Sequence, residues 1–206
     1  MNIEKILRVQ KRVQSGKGHS GRLRAQNLIP GIFYTPDGTN IPVEAAALPL
    51  EKIIAEVGRT TVFNLEINDN NNKSTHPALI WQVQRHPYKI ALTHIDFYGV
   101  NLNKEVKLDV PLVFTGTSRG VKLGGVLETY RESVRLAGKP MDMPKKILVD
   151  VTSMDINSSI AVKDLQLPSN IKPACDQNLV IVSVLTKSKE EGLDGTGQEV
   201  PAATAG

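Results

Sequence analysis

Cysteine is almost missing from these 206 residues. Cys175 stands alone, so no intramolecular disulfide can form, and its neighbours Ala174 and Asp176 supply no metal-ligand spacing. A chain without a disulfide framework fits a reducing compartment. Long apolar runs are missing too. From Met1 to Val13 no more than two apolar residues are consecutive, so there is no signal-peptide core. Nothing further on approaches the ~20 apolar residues of a membrane span. A soluble cytoplasmic protein with no membrane partner is expected. Aromatics are only 4% of the chain, so any stacking platform for single strands would be sparse. No phosphate-binding P-loop string occurs, and no Ser or Cys has the flanks of an activated nucleophile.

What is present is charge, unevenly placed. Residues 1–98 hold 12 Lys+Arg against 8 Asp+Glu, a balance of +4, whereas residues 99–206 hold 13 of each. Residues 1–36 alone carry seven cations against Glu4, and all four histidines lie in the first half. This asymmetry points to a polyanionic partner for the N-terminal half. With hydrophobic residues at 40%, the length is enough for one large domain or two small ones.

The chain reads as mainly β with a few short helices. Met1–Val13 fits either a basic amphipathic helix or a first strand. Gly16–Gly21 reads as a cationic loop, and Arg22–Ile29 as a short helix stopped before Pro30. Ile32–Tyr34 is a short strand. Leu50, Ile53, Ile54 and Val57 recur at helical spacing, with Pro49 in the first turn and Gly58 at the C-terminal end. Phe63, Leu65 and Ile67 alternate with polar residues in a half-buried strand. Asn68–Asn72 is a turn tip, and Ala78–Arg85 returns as the partner. Ile90–Phe97 is a further strand that sets His94 and Asp96 on one face. Beyond Gly99 come the alternating Val106–Phe114, with Pro111 suggesting an edge or bulge, then a Gly-rich loop at Gly116–Gly125. Val126–Ala137, Ile147–Val151, Ile160–Leu165 and Leu179–Leu185 are strand candidates of a sandwich or barrel. A boundary at Tyr98–Asn103 divides the chain into domains 1–98 and 99–186. Residues 187–206, with almost no large apolar side chain, read as a disordered tail.

Three motifs carry chemistry. Gly16-x-Gly18-x-x-Gly21 matches a dinucleotide-binding string, but Lys11–Ser15 before it is no buried strand and Pro30 cuts short any helix after it. His86, His94 and Asp96 could serve a metal-dependent hydrolase, although a metal site needs three or four converging, supported ligands and the only other histidines are His19, on a flexible loop, and His76, near a turn tip. Lys17, Arg22 and Arg24 among glycines can bring backbone N–H groups and charge to phosphates. Gln84 and Arg85, as strand neighbours, point to opposite faces unless a bulge re-aims them. Trp81 reads as a packing residue.

Gly16–Arg24, Pro30–Tyr34, Val83–Lys89 and His94–Phe97, with Gly124–Leu127, Asp150-Val151 and Leu179–Val184, closely resemble one family. It is the bacterial large-subunit ribosomal protein that binds 5S rRNA, in its long, general stress protein Ctc form. The resemblance implies a six-stranded N-terminal β-barrel on loop E of 5S rRNA, a β-rich C-terminal domain, no cofactor, no small-molecule substrate and no enzymatic activity. Its partners would be 5S rRNA and the neighbouring proteins and rRNA of the large subunit. It implies RNA contacts at Arg12, Lys17, Arg22, Arg24, Tyr34, Gln84, Arg85, His94 and Asp96. The chain departs from the family pattern at Gly21, Thr35 and Trp81, and its tail is only mildly acidic. The rival readings are a conditional, stress-linked ribosome accessory factor and the hydrolase above.

Overall fold

The computed structural model describes residues 5–69 and 72–186. The expected tail at 187–206 lies outside them, as do part of the Asn68–Asn72 tip and the first four residues. The ambiguous N-terminal segment is a strand, β1 (Ile6–Lys11), with Leu7 and Val9 buried. After helix α1 (Lys17–Ala25) come β2 (Leu28–Tyr34), β3 (Asn40–Ala46), helix α2 (Ala47–Val57), β4 (Phe63–Asp69), β5 (Asn72–Arg85) and β6 (Leu92–Gly99). The six strands close into the implied barrel, in the order β1-β3-β2-β6-β5-β4. The pairs β1/β4 and β2/β6 are parallel and the rest antiparallel. Phe33, Phe63, Leu65, Ile80, Ile95 and Phe97 fill the interior. The stripe Leu50–Ile53–Val57 of α2 packs into the same core, as its spacing requires.

The glycine-rich segment corrects the expected loop and the helix placed at Arg22–Ile29. Gly16, at φ 110°, starts α1, and Asn27, at φ 59°, turns the chain into β2, which runs through Pro30. Gly18 and Gly21 are poor helix formers, so tertiary anchors hold the helix. Leu23 is buried, Arg12 Nη1 donates to Ser20 Oγ at 3.2 Å, and Arg24 Nε donates to the Thr93 carbonyl at 3.0 Å. Strand β3 has no counterpart in the expected elements, because Pro42 interrupts its Ile41–Val43–Ala45 alternation. Gly31 is demanded by packing: a Cβ there would stand 2.6 Å from the Ile95 carbonyl oxygen across the β2/β6 pair.

Two bulges shape the β5/β6 pair. Ile80 lies opposite Phe97 and Gln82 opposite Asp96, so Trp81 is the extra residue on β5. Gln84 lies opposite His94 and Arg85 opposite Leu92, so Thr93 is the extra residue on β6. A bulge resets the inside–outside alternation. Trp81 and Gln82 are therefore both exposed, and Leu92 joins Ile95 and Phe97 inside rather than sharing a face with His94. Ile90 lies before β6 and is fully exposed.

The second half has a four-stranded sheet, β10-β7-β9-β12, and a three-stranded sheet, β11-β13-β8. Its strands are β7 (Val106–Thr115), β8 (Gly125–Thr129), β9 (Ser133–Gly138), β10 (Ile147–Asp150), β11 (Ser159–Ala161), β12 (Lys172–Pro173) and β13 (Val180–Thr186). The run 126–137, read as one strand, is two strands in different sheets. The segment 160–165 is a short strand followed by a 3-10 turn, Val162–Asp164, and a short helix α3 (Arg119–Lys122) sits in the Gly-rich loop. Pro111 is at neither an edge strand nor a bulge. It stands where β7 changes partner: residues 106–111 pair with β9 and 112–115 with β10. Val62, Leu79 and Val100 join this second core, so Leu79 on β5 faces it while Ala78 and Ile80 face the barrel interior. No helix among the described residues is long and apolar enough to cross a membrane.

Candidate nucleic-acid interface

The outward face of β2, β6 and β5 gathers polar and aromatic side chains in register. His94 lies opposite Gln84, Asp96 between Gln82 and Ile32, and Tyr98 opposite Tyr34. His94 Nδ1 stands 2.8 Å from Asp96 Oδ1, both side chains being a little over one-fifth exposed. The approach is that of an ion pair rather than a hydrogen bond, and among the described residues that nitrogen has no hydrogen-bond partner. Tyr98 packs between Tyr34 and Trp81, with ring centroids at 5.5 and 5.3 Å. Burial, and then the Asp96 carboxylate, push the Tyr34 phenol above its ordinary value of 10.0. Tyr34 therefore stays a neutral hydroxyl at physiological pH, able to donate as well as accept.

Helix α1 borders this face, tied to it by Arg24 at Thr93, one residue before His94. Of the seven cations in residues 1–36, three are neutralised. Lys5 pairs with Glu56, Arg8 with Glu66 at 3.4 Å, and Lys11 with Asp69 at 2.6 Å. Arg12, Lys17, Arg22 and Arg24 form no ion pair among the described residues, so the excess positive charge is concentrated on α1 and its approach. Arg12 is partly buried and works as a brace for the helix, while Lys17 and Arg22 are exposed. No side chain caps the N-terminus of α1, which leaves its first N–H groups open to an anion beside Lys17.

Arg85 is separated from this face. It lines a hollow of about 320 Å³ with Glu51, Ile54 and Ala55 of α2. His86 is not poised for metal either. Its Nδ1 accepts the Tyr88 and Lys89 backbone N–H groups at 3.2 Å and so orders the loop before β6. Among the described residues no three His, Cys, Asp or Glu converge on a metal position. Sequence reasoning missed Gln82 and Tyr98. Both continue the alternation of named residues, Gln82 two before Gln84 and Tyr98 two after Asp96.

Comparison with known proteins bears on this arrangement. Residues 7–97 match the model of the ribosomal L25p family, and residues 105–188 that of the ribosomal protein TL5 C-terminal domain. The large ribosomal subunit protein bL25 of Desulfovibrio desulfuricans is 66% identical over 191 residues, covering 93% of this chain and 96% of its own. Those of Nitratidesulfovibrio vulgaris and Lawsonia intracellularis are 53% and 51% identical, over 92% and 93% of this chain and all of theirs. The family is one of ribosomal proteins, not enzymes, which removes the hydrolase reading. With both halves matched in order and the likeness running through nearly the whole length, the chain belongs to the ribosomal L25p family, in the long form that carries a TL5-type C-terminal domain.

Proposed function

We propose that this protein is a structural component of the large ribosomal subunit in the cytoplasm, and that residues 1–98 bind 5S rRNA at loop E. One observation carries the reading: a sheet face bearing Gln84, His94, Asp96 and Tyr34 lies beside a helix whose cations have no acidic partner among the described residues. The deep groove of helical RNA is too narrow for side chains unless non-canonical pairs open it, and its shallow groove displays 2′-hydroxyls. Lys17, Arg22 and Arg24 position the barrel on phosphates. Gln84, His94 and Tyr34 read base edges or 2′-hydroxyls. Asp96 accepts only, so it takes a base N–H or a 2′-OH and holds His94 in place. Arg12 braces α1. Arg85 points to α2 and is given no reading role.

The test uses the full chain and 5S rRNA. Lys17→Ala should weaken binding to any duplex and lower the log–log salt slope by about one. Gln84→Ala should instead reduce discrimination between native and mutated loop E, by about 1–3 kcal/mol if its contact is bidentate. Equal affinity of the unaltered protein for 5S rRNA and for an unrelated duplex would overturn the proposal.

A further inference from the structure

The face just described does not end at the barrel. Past Asp96 and Gln82 it reaches Trp81, and there it opens into a cleft of about 450 Å³ between the two halves of the chain. The cleft is lined by Arg59, Trp81 and Gln82 on one side and by Lys107, Asp109 and Arg135 on the other. Lys107 and Asp109 share one face of β7, and Arg135 lies opposite Asp109 on β9. Three cations thus stand against one carboxylate. That carboxylate is already engaged: Arg135 Nε and Nη2 donate to the two Asp109 oxygens at 2.8 and 3.0 Å. Arg59 gives Nη2 to the Trp81 carbonyl at 3.0 Å, which fixes its guanidinium at the cleft wall without neutralising it. Lys107 has no ion-pair partner among the described residues. Lys107 and Arg59 therefore flank a slot continuous with the reading face, Arg59 bearing on Asp109 without forming an ion pair with it, so three cations there outweigh a single carboxylate.

We infer that this cleft is a second RNA-backbone site, in which Arg59 and Lys107 hold phosphates of the strand that leaves the barrel face past Gln82. The inference rests on the proposed RNA binding by the barrel and extends it onto the C-terminal half. Phosphodiester is the chemistry that matches the charge of the wall: Arg59 and Lys107 supply donors only, while Ile80, Val83 and Leu108 floor the cleft beneath them and can pack against sugar. Trp81 stands at the barrel end of the cleft, its ring tilted against Tyr98, and Gln82 beside it links the reading residues to the cations. The Asp109–Arg135 pair keeps the carboxylate from repelling that strand.

The experiment measures binding of the full chain to 5S rRNA over a range of salt concentrations, for the unaltered protein, Lys107→Gln, Arg59→Gln, the pair, and Lys107→Arg. Lys163→Gln, outside the cleft lining, is the control, and Lys17→Ala reports on the barrel. Each cleft substitution to Gln should weaken binding several-fold and lower the log–log salt slope by about one, and the pair by about two. Lys107→Arg and Lys163→Gln should keep the original slope. Original slopes in both Gln variants, with Lys17→Ala still impaired, would overturn the cleft site and leave the barrel reading intact. Indifference of the unaltered protein to 5S rRNA would remove both. Lys107 is exposed on a strand face, so a loss of slope accompanied by an unchanged melting temperature excludes misfolding as its cause.

Discussion

Asp96 sits two residues beyond His94 on the outward face of β6, its Oδ1 2.8 Å from the imidazole Nδ1 and its charge bearing on the Tyr34 phenol of the neighbouring strand. One carboxylate thus conditions two polar groups that face the solvent side of a closed barrel. A lone acid beside a basic helix is an unexpected fitting for a surface that meets phosphates, and its removal separates two accounts of it.

If the carboxylate merely repels RNA, Asp96→Asn tightens binding. If it orients His94 and accepts from RNA, the same change weakens binding although a negative charge has gone. We expect weakening. In a double-mutant cycle with His94→Ala on the full chain, the two effects should couple by about 0.5–3 kcal/mol, as groups in contact do. Tighter binding with additive effects would reduce Asp96 to a tolerated surface charge.

Asp96→Asn should also act on Tyr34 in the absence of RNA. A nearby carboxylate disfavours the phenolate, and burial does so more strongly. The substitution should therefore lower the Tyr34 pKa toward 10.0 without reaching it. Alkaline titration of the Tyr34 ring carbon by NMR reads the shift directly. An upward movement would contradict the arrangement of these side chains.

Gly31→Ala should destabilise the barrel. The added methyl meets the Ile95 carbonyl oxygen at 2.6 Å and the Ile95 side chain at 2.9 Å, both inside the β2/β6 pair. A backbone atom there cannot step aside without breaking the parallel ladder. The cost expected from overpacking is about 1–3 kcal/mol, measurable by urea denaturation. A neutral result would show that the two strands are more loosely apposed than the geometry states.

Asp109 gives a pH dependence of known sign. The hydrogen bonds from Arg135 lower its pKa below the ordinary 3.8, against an opposing effect of burial. A depressed folded value means that the carboxylate stabilises the fold fully above the ordinary range, and that this contribution is lost as pH falls through the folded value. Arg135→Gln should return the Asp109 titration upward, followed by NMR of its carboxyl carbon, and shift acid unfolding slightly upward in pH. The pair is more than half exposed, so the stability effect is screened and small.

The elements that sequence alone made legible are those whose period has one reading. The stripe Leu50–Ile53–Val57 and the alternation Phe63–Leu65–Ile67 fall where their spacing places them, and His94 and Asp96 do share a face. Helix α1 was illegible because Gly18 and Gly21 argue against it. The contacts that hold it, Arg12 to Ser20 and Arg24 to Thr93, join residues up to 69 positions apart. The bulges at Trp81 and Thr93 were hidden for the same reason: an extra residue is defined only against a partner strand. As strand neighbours, Gln84 and Arg85 are expected to point to opposite faces unless a bulge re-aims them, and Arg85 lines the hollow beside α2.

Strand β5 has an interior on each side. Ala78 and Ile80 belong to the barrel core, and Leu79 between them belongs to the other. A partition common to two chambers cannot be withdrawn from one alone. Severing the chain near Tyr98 would leave Leu79 and Val62 facing water, a greasy scar on the half that otherwise carries the net positive charge. The two halves should therefore melt as one cooperative unit rather than as beads on a string, and the rigidity of the outward polar face should depend on residues that never approach it.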